Sequence, residues 1–395
     1  MAQAAAPVAR AVFCVPGALG TPTGGYAYAR RLLSGARAAG LDLVHWPLPA
    51  GWPAPTAAVL AETARRLAAI PAGWPVMIDG LALGAMPGAM LDALQGPLVA
   101  LCHHPLALET GLDGATAARL RASERAALAG AVRVVTTSRA TADTLVADYG
   151  VAPGRIVVAP PGTDPAPQSP GSGGPGVAIL SVGSLVPRKG HDVLLDALGR
   201  CAALDWSLTI AGAADRDAAE AGRLRALAAR LGIGARVRLA GALDGAALAR
   251  AWAGADLFAL ASRHEGYGMV YAEALAHGLP VVGTTAGAVP EATAGAALLV
   301  APGDAAALAE ALGHLIADPA ARRALAARSR AVAPHLPRWP ATVAIIARML
   351  GGIGAGAAQG APVRRRRAET TAAIRQDHAG GDACRVGRFS LSVPG

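Results

Sequence analysis

Apolar and polar positions along this chain follow two alternating patterns. Short apolar runs such as residues 12–15 and 98–102 are typical of buried strands. Longer stretches between them, such as 26–37 and 117–129, carry apolar residues at helical spacing. The pattern predicts strands at 12–15, 41–45, 76–79, 98–102, 132–136 and 155–159, and again at 177–182, 207–211, 237–239, 256–260, 281–284 and 297–300.

Strands that alternate with helices predict doubly wound parallel sheets. Residues 165–176 are rich in Pro, Gly and Ser, which is typical of a linker between domains. We therefore predict an α/β protein with two Rossmann-like domains, 1–164 and 177–334, that face a cleft. Apolar positions at helical spacing predict a final helix within 335–350. Residues 351–395 contain few large apolar side chains and four consecutive arginines, which predicts a disordered basic tail.

Composition narrows the class of protein. Hydrophobic residues make up 53% of the chain and aromatic residues 4%. Charges, Pro or Gly interrupt the long apolar stretches, and no signal-peptide layout is present, so we expect neither a membrane span nor export. The four cysteines (Cys14, Cys102, Cys201 and Cys384) are not spaced as metal ligands, which favours a reduced, cytoplasmic setting.

The net charge of +9 raises the question of a nucleic-acid partner. The charge is spread along the chain and does not alternate with aromatic residues that could stack on bases, so we expect no nucleic acid. Positive charge spread over the protein would also attract anionic nucleotides and anionic membrane surfaces. The four arginines at 364–367 could therefore make weak membrane contact, although a solvated charge run without a partner is the alternative.

Residues 265–282 carry the most specific signal. Glu265 and Glu273 lie eight positions apart, in a loop and helix that follow a predicted strand. Ligands bind at this end of parallel strands. Gly268 permits close approach of the backbone, and the N–H groups of Met269 and Val270 would open the helix towards an anion such as a diphosphate.

The two carboxylates would repel that anion, so they are better suited to accept hydrogen bonds from hydroxyl groups on either side of it. A molecule with hydroxyls, a diphosphate and further hydroxyls is a nucleotide sugar.

A second signal is a single lysine. Of the 36 Lys and Arg residues, only Lys189 is a lysine. Lys189 follows Arg188 in a loop between a predicted strand and a predicted helix, where both side chains suit phosphate oxygens. A solvated basic loop is the alternative interpretation.

These motifs resemble a known family. The segment from Glu265 to Val282 is similar to the Glu-x7-Glu motif of retaining glycosyltransferases of family 4, which have the GT-B fold. The loop at 183–190 resembles the phosphate loop of that family in Gly183, Lys189 and Gly190, but Ser184 stands where the family has an arginine. Arg188 is our candidate for the missing charge.

The resemblance implies roles in donor binding. Lys189 would hold the diphosphate, and the helix start at Gly268, Met269 and Val270 would complete the phosphate site. Glu273 would accept from the ribose diol. Glu265 would accept from donor-sugar hydroxyls and favour the positively charged sugar in the transition state. The resemblance implies no cofactor and no bound metal. Asp215-Arg216-Asp217 has a spacing that can hold a metal in other glycosyltransferases, but we interpret it as a solvated segment at the start of a helix.

The first domain would bind the acceptor. Gly24 and Gly25 resemble the double glycine of the family's first loop, near donor phosphate and acceptor, although a flexible loop would look the same. His103 matches a family histidine at a strand end near the reacting sugar, with His104 as a competitor and a capping or core histidine as the alternative. Asp79 is read as a loop cap. In this family the final helix crosses back to the first domain.

Three functions remain open from the sequence. The first is a retaining hexosyltransferase that moves a sugar from a nucleotide-diphosphate sugar to a saccharide or lipid-linked acceptor, in cell-envelope polysaccharide synthesis. This enzyme would be cytoplasmic, at most peripheral at the inner face of the membrane. The second is an epimerase or phosphorylase on the same fold. The third is a non-catalytic nucleotide-sugar-binding or scaffold protein at a membrane surface.

Overall fold

Two six-stranded parallel sheets form the framework of the protein. The computed structural model describes residues 9–214 and 218–358, so the motif at 215–217 and the tail from 359 onwards lie outside the described residues. All twelve predicted strands are confirmed, with ends that differ by a few residues. They are β1 (Ala9–Pro16), β2 (Leu41–Leu48), β3 (Val76–Asp79), β4 (Leu98–Cys102), β5 (Arg133–Thr136), β6 (Ile156–Val158), β7 (Val177–Val182), β8 (Trp206–Ala211), β9 (Val237–Gly241), β10 (Leu257–Ala259), β11 (Val281–Thr284) and β12 (Leu298–Val300).

Helices cover both faces of each sheet and bury the large apolar side chains of the strands. The helices of the N-terminal half (residues 9–158) are α1 (Gly24–Gly35), α2 (Ala57–Ala68), α3 (Gly80–Leu83), α4 (Gly88–Asp92), α5 (Gly114–Gly130) and α6 (Arg139–Tyr149). Those of the C-terminal half (residues 177–332) are α7 (His191–Arg200), α8 (Ala218–Arg230), α9 (Gly245–Ala253), α10 (Met269–Ala276), α11 (Val289–Thr293), α12 (Ala305–Ala317) and α13 (Pro319–Val332), and the last helix is α14 (Trp339–Ala358).

The order of the strands locates one switch point in each sheet. The first sheet runs β2-β1-β3-β4-β5-β6 and the second runs β12-β11-β10-β7-β8-β9. The connections therefore reverse direction between β1 and β3, and again between β7 and β10. Ligands of open α/β sheets bind at such points, beyond the carboxyl ends of the strands. Both motif loops of the C-terminal half follow the two strands at its switch point.

Side-chain caps explain where several helices begin. Asp79 accepts a hydrogen bond from the N–H of Leu81 at the start of α3, which confirms its assignment as a loop cap. Ser138 caps α6 through the N–H of Thr141, and Asp304 caps α12 through the N–H of Ala307. Helix α1 differs from the prediction, because Gly24 and Gly25 are its first two residues and not part of the preceding loop.

The last helix packs on the N-terminal half, although it follows the C-terminal half in sequence. Trp339, Val343 and Leu350 are buried in the same cluster as strand β1 and helix α1. The helix continues to Ala358, so residues 351–358 of the predicted tail are helical. Glycine weakens a helix interior, but contact of Ile353 with this cluster favours the helical state.

The chain crosses between the two halves twice at one place. The hydroxyl of Thr342 donates to the carbonyl of Pro160 at 2.6 Å, and the N–H of Thr163 donates to the carbonyl of Pro337 at 2.7 Å. Gly162 lies against this second crossing so closely that an added Cβ would be 2.1 Å from the backbone nitrogen of Trp339. The segment from 159 to 176 and the start of α14 therefore cross side by side and are in direct contact.

Within the described part of the chain, no helix combines the length and the apolar character that crossing a bilayer requires.

One buried carboxyl group stands out in the N-terminal half. Glu124 of α5 is 2% exposed and accepts a hydrogen bond from the N–H of Leu106 at 3.0 Å. Burial raises the pKa of Glu124 to about 7, against opposing effects of this hydrogen bond, Tyr149 and Arg121. The carboxyl group is protonated in both states below about pH 4.5, whereas above pH 7 the folded protein has to hold a buried charge.

We predict that Glu124→Gln removes this pH-dependent destabilisation. The wild-type protein should lose up to about 3 kcal/mol between pH 4.5 and pH 7, because its carboxyl group ionises more easily in the unfolded chain. The variant should therefore unfold at a higher temperature than wild type at pH 8, with a smaller difference at pH 5. Thermal unfolding at both pH values measures this, with Glu310→Gln on the exposed face of α12 as the control. An equal difference at pH 5 and pH 8 would contradict the prediction.

Candidate functional site

A cleft of about 380 Å³ lies between the two halves, at the carboxyl ends of their sheets. The loop after β7 and the loop after β10 line it from the C-terminal half. The loops after β1, β3 and β4 line it from the N-terminal half. The strand register places β7 beside β10, so their loops are neighbours in space although about 75 residues apart in sequence.

Lys189 and Glu265 form a buried ion pair across these two loops. Lys189 Nζ lies 2.6 Å from Glu265 Oε1, and Arg188 Nη1 lies 3.5 Å from Glu265 Oε2. The hydroxyl of Ser262 also donates to Glu265 Oε1 at 2.6 Å. The side chains of Lys189 and Glu265 are 14% and 7% exposed. The sequence places these groups in separate motifs, and the fold brings them into direct contact.

The charge of Glu265 is stabilised by its surroundings. Burial alone would raise the pKa of Glu265, but Lys189 and Arg188, with the hydrogen bond from Ser262, bring it to about 2. For Lys189, burial lowers the pKa more than Glu265 raises it. At neutral pH Glu265 is therefore a carboxylate, which pairs with Lys189 and shares Arg188 with Glu109.

Arg188 connects the two halves. Its Nη1 donates to the carbonyl of His264 at 2.8 Å, and its Nε lies 3.0 Å from Glu109 Oε1 of the N-terminal half. The other oxygen of Glu109 lies 3.6 Å from His104 Nε2. Burial would raise the pKa of Glu109, but His104 and Arg188 lower it to about 2. Sequence reasoning missed Glu109, which stands in an irregular loop with no recognisable motif.

Arg263 holds the loop that carries the two cations. Both terminal nitrogens of Arg263 bond to the carboxylate of Asp192, at 2.8 and 2.7 Å, and Nη1 also donates to the carbonyl of Pro187 at 2.6 Å. Its backbone N–H donates to the carbonyl of Arg188. Planar, bidentate contacts of this kind fix geometry well. Arg263 therefore supports the 3-10 turn Pro187–Lys189 from outside the cleft.

The start of α10 faces the same cleft. Gly268 has a φ of +95°, a left-handed conformation that favours glycine, and Tyr271 occupies the space where its Cβ would lie. Gly268, Met269 and Val270 all line the cleft, as the sequence predicts. Met269 Sδ would be 3.6 Å from a Cβ at Gly24, so the two predicted glycine-containing segments face each other.

The loop after β10 contacts the N-terminal half through its backbone. A Cβ on Gly266 would lie 2.1 Å from the carbonyl oxygen of His103. The carbonyl of Gly266 accepts hydrogen bonds from the hydroxyls of Thr137 and Thr141, both at 3.3 Å. These contacts require glycine at position 266 and hold Glu265 next to the end of β4.

A second carboxylate crosses between the halves. Glu291 of α11 accepts a hydrogen bond from the N–H of Arg139, the first residue of α6, at 2.8 Å. A carboxylate is stabilised at a helix N-terminus by the free N–H groups and the helix dipole. Glu291 therefore links α11 of the C-terminal half to the start of α6 in the N-terminal half.

His103 directly follows the carboxyl end of β4, as predicted. Its Nε2 is 3.3 Å from Asp79 Oδ2, and its ring packs edge-on against Tyr28 at 5.4 Å between centroids. Gly25 lies beside this ring, and a Cβ there would make an ordinary van der Waals contact with it at 3.5 Å. His104 points instead to Glu109 and to His264, and burial lowers its pKa. The two histidines thus have separate partners.

Glu273 is the predicted residue that lies apart from the others. It stands on α10, about one turn from the helix start, and is not among the residues that line the described cleft. Burial, and next the nearby Asp164, raise its pKa. Its contact with a ribose stays a prediction. Across residues 9–214 and 218–358, no three His, Cys, Asp or Glu side chains are grouped as a metal site requires.

Both halves match known protein families. Residues 77–167 match Glycosyltransferase Family 4, and residues 176–318 match Glycosyl transferases group 1. The chain is 30% identical to the MMP alpha-(1->4)-mannosyltransferase of Mycolicibacterium hassiacum over 312 residues, which cover 75% of this chain and 74% of that protein. It is 32% identical to D-inositol 3-phosphate glycosyltransferase 1 of Catenulispora acidiphila, over 68% of this chain and 70% of the relative.

Solved structures share the fold. The sucrose-phosphate synthase of Thermosynechococcus elongatus superposes with a TM-score of 0.74 at 22% identity, covering 88% of this chain and all of that one. Anabaena HepE, solved with UDP and glucose, gives a TM-score of 0.67 at 21% identity, covering 86% of this chain and 98% of that one. The GT-B fold expected from the motifs is confirmed. On these matches, the chain belongs to the group 1 glycosyltransferases of family 4 and is a glycosyltransferase.

Proposed function

We propose that this glycosyltransferase moves a hexose from a nucleoside-diphosphate sugar to an acceptor with retention of the anomeric configuration and without a bound metal. The observation that carries the proposal is the meeting of Lys189, Arg188 and Glu265 beside the start of α10. Two cations and a helix N-terminus suit a diphosphate. The adjacent carboxylate suits the hydroxyls of the attached sugar.

The diphosphate would bind where the basic loop and the helix start converge. Lys189 would contribute a compact charge, and Arg188 a planar fork that its bonds to Glu109 and His264 already orient. Charge that develops on the leaving diphosphate would be stabilised by these groups, so the protein itself would supply what a metal ion provides in other transferases. HepE, which has the same fold, has also been solved with UDP-glucose.

Glu265 would act on the sugar. Its low pKa keeps it ionised, and an ionised carboxylate favours the positive charge that grows on the anomeric carbon as the donor bond breaks. His103 and Asp79 lie across the cleft, where the hydrogen bond between them would orient the imidazole towards the acceptor hydroxyl. The nucleoside would extend along α10 towards Glu273 and Asp164.

A panel of nucleotide sugars tests the proposal. We expect the protein to bind one nucleoside diphosphate tightly enough to raise its unfolding temperature, because a ligand that binds only the folded state stabilises it. The matching nucleotide sugar should be hydrolysed slowly and transferred to added glycosides in the presence of EDTA. Proton NMR of the product should show the anomeric configuration of the donor. A product of inverted configuration would overturn the proposed retention. Loss of activity in EDTA would overturn the proposed independence from a bound metal.

We predict different kinetic effects for the two motif glutamates. Glu265→Gln should lower kcat by about 10²-fold or more, because its charge acts in the transition state. Glu273→Gln should raise KM for the nucleotide sugar by about tenfold, the value of a lost hydrogen bond to a spectator group. Steady-state kinetics measures both, with Glu310→Gln as a control on an exposed helix face. The reverse pattern would mean that the donor lies in the opposite direction along the cleft.

We also predict that the ion pair between Lys189 and Glu265 stabilises the folded protein, and that this effect can be separated from phosphate binding by Lys189. Lys189→Met should destabilise the protein by up to about 3 kcal/mol, because Glu265 would remain buried with only the longer ion pair to Arg188 and the hydrogen bond from Ser262. Adding Glu265→Gln should restore much of that stability but not the affinity for the nucleoside diphosphate. Urea unfolding and titration calorimetry measure the two properties.

Arg10→Met is the matched control, because it breaks an exposed pair with Asp42 that is worth at most about 1 kcal/mol. Full recovery of diphosphate binding in the double variant would show that Lys189 does not contact the ligand.

A further inference from the structure

The wall that the N-terminal half contributes to the cleft carries no fixed positive charge. Among the described residues that line it from this half there is neither Lys nor Arg. Its ionisable groups are the carboxylates of Asp79 and Glu109 and the rings of His103 and His104. The cations of the cleft, Arg188 and Lys189, both come from the C-terminal half.

A helix N-terminus can bind an anion in place of a side-chain cation. At the carboxyl edge of the first sheet, however, carboxylates already occupy most of the helix N-termini. Asp79 caps α3, Asp113 caps α5 through the N–H of Thr116 at 2.6 Å, and Glu291 binds the first N–H of α6. The hydroxyl of Thr56 caps α2. Each carboxylate neutralises the partial positive charge of its helix end and would repel a second anion.

Helix α1 has no such cap at its N-cap residue Thr23, and neither does the short helix α4, none of whose residues lines the cleft. The start of α1 faces the donor side of the cleft, since Gly24 lies opposite Met269 at the start of α10. Any anion held there would lie beside the donor diphosphate. The acceptor side of the wall is left without a site for a phosphate group.

Much of the same wall is apolar. Leu106 and Leu120 are 8% and 5% exposed and still line the cleft, together with the partly exposed Tyr26, Leu81 and Leu112. A hydrocarbon group that covers apolar surface of this kind gains binding free energy, whereas an ionic group finds no hydrogen-bond partner or opposite charge there. His103 and Asp79 provide the polar positions for a hydroxyl at the inner end of the wall.

We propose that the acceptor is a neutral glycoside with an apolar substituent or aglycone that lies on this wall, and not a phosphorylated sugar. This inference rests on the proposed function. It sets the chain apart from the relative named for D-inositol 3-phosphate, with which it shares 32% identity.

The test uses matched acceptors. UDP-glucose and GDP-mannose serve as donors, and hydrolysis without acceptor is measured first, because it reports on the donor site alone. Transfer is then measured to octyl mannoside and octyl glucoside and to mannose 6-phosphate, glucose 6-phosphate and inositol phosphate. We expect kcat/KM to be about tenfold or more higher for an octyl glycoside than for any phosphorylated acceptor, because like charges on the wall oppose the phosphate.

A charge variant sharpens the result. Leu112→Arg adds a cation to the wall and should raise the ratio of kcat/KM for the phosphorylated acceptors to kcat/KM for the octyl glycosides, each compared with donor hydrolysis by the same variant. Val146→Arg is the control, because Val146 is exposed on α6 and does not line the cleft.

Three results would overturn the inference. Preference of the wild-type protein for a phosphorylated acceptor would do so, as would hydrolysis of a donor without transfer to either octyl glycoside. Both leave the proposed function standing, because the donor is still cleaved. Absence of hydrolysis and of transfer with these two donors and with every other nucleotide sugar of the panel would instead overturn the proposed function and the acceptor inference with it.

Discussion

The buried contact between Lys189 and Glu265 is the interaction on which the rest of the cleft depends. It joins the loops after two neighbouring strands, so it sets the position of the basic turn relative to the start of α10. Glu265 would be costly to bury alone, and the cations would repel one another without it. A diphosphate bound as proposed would meet cations that are already ordered but shared with carboxylates, so its binding would require redistribution of existing contacts more than ordering of free side chains.

The two halves meet through backbone groups and short side chains. Gly266 presents its carbonyl to Thr137 and Thr141 and its Cα to His103, and Glu291 reaches the start of α6. These contacts have strict geometry and little flexibility. They hold the loop after β10 against the end of β4, so the positions of Glu265 and His103 depend on each other.

Much of this arrangement could be predicted from the sequence. Strand and helix periodicity located every strand, because buried parallel strands are continuous apolar runs. The single lysine and the Glu-x7-Glu spacing indicated the donor side. Contacts between distant loops could not be predicted from the sequence. Glu109 and the Asp192–Arg263 pair lie far from each other along the chain, and only the fold brings them next to Arg188 and its loop. The end of α14 was placed too early at Leu350, because glycine-rich sequence conceals a helix that tertiary packing stabilises.

The paired crossing at Gly162 and Trp339 has a mechanical consequence. A single flexible linker would let one half turn in any direction relative to the other. Two chain segments joined side by side, through Thr342 with Pro160 and Thr163 with Pro337, would instead limit relative movement of the halves to directions that keep both pairs of contacts. The start of the last helix is therefore one side of this joint, and a movement that separates the halves would have to break both pairs of contacts.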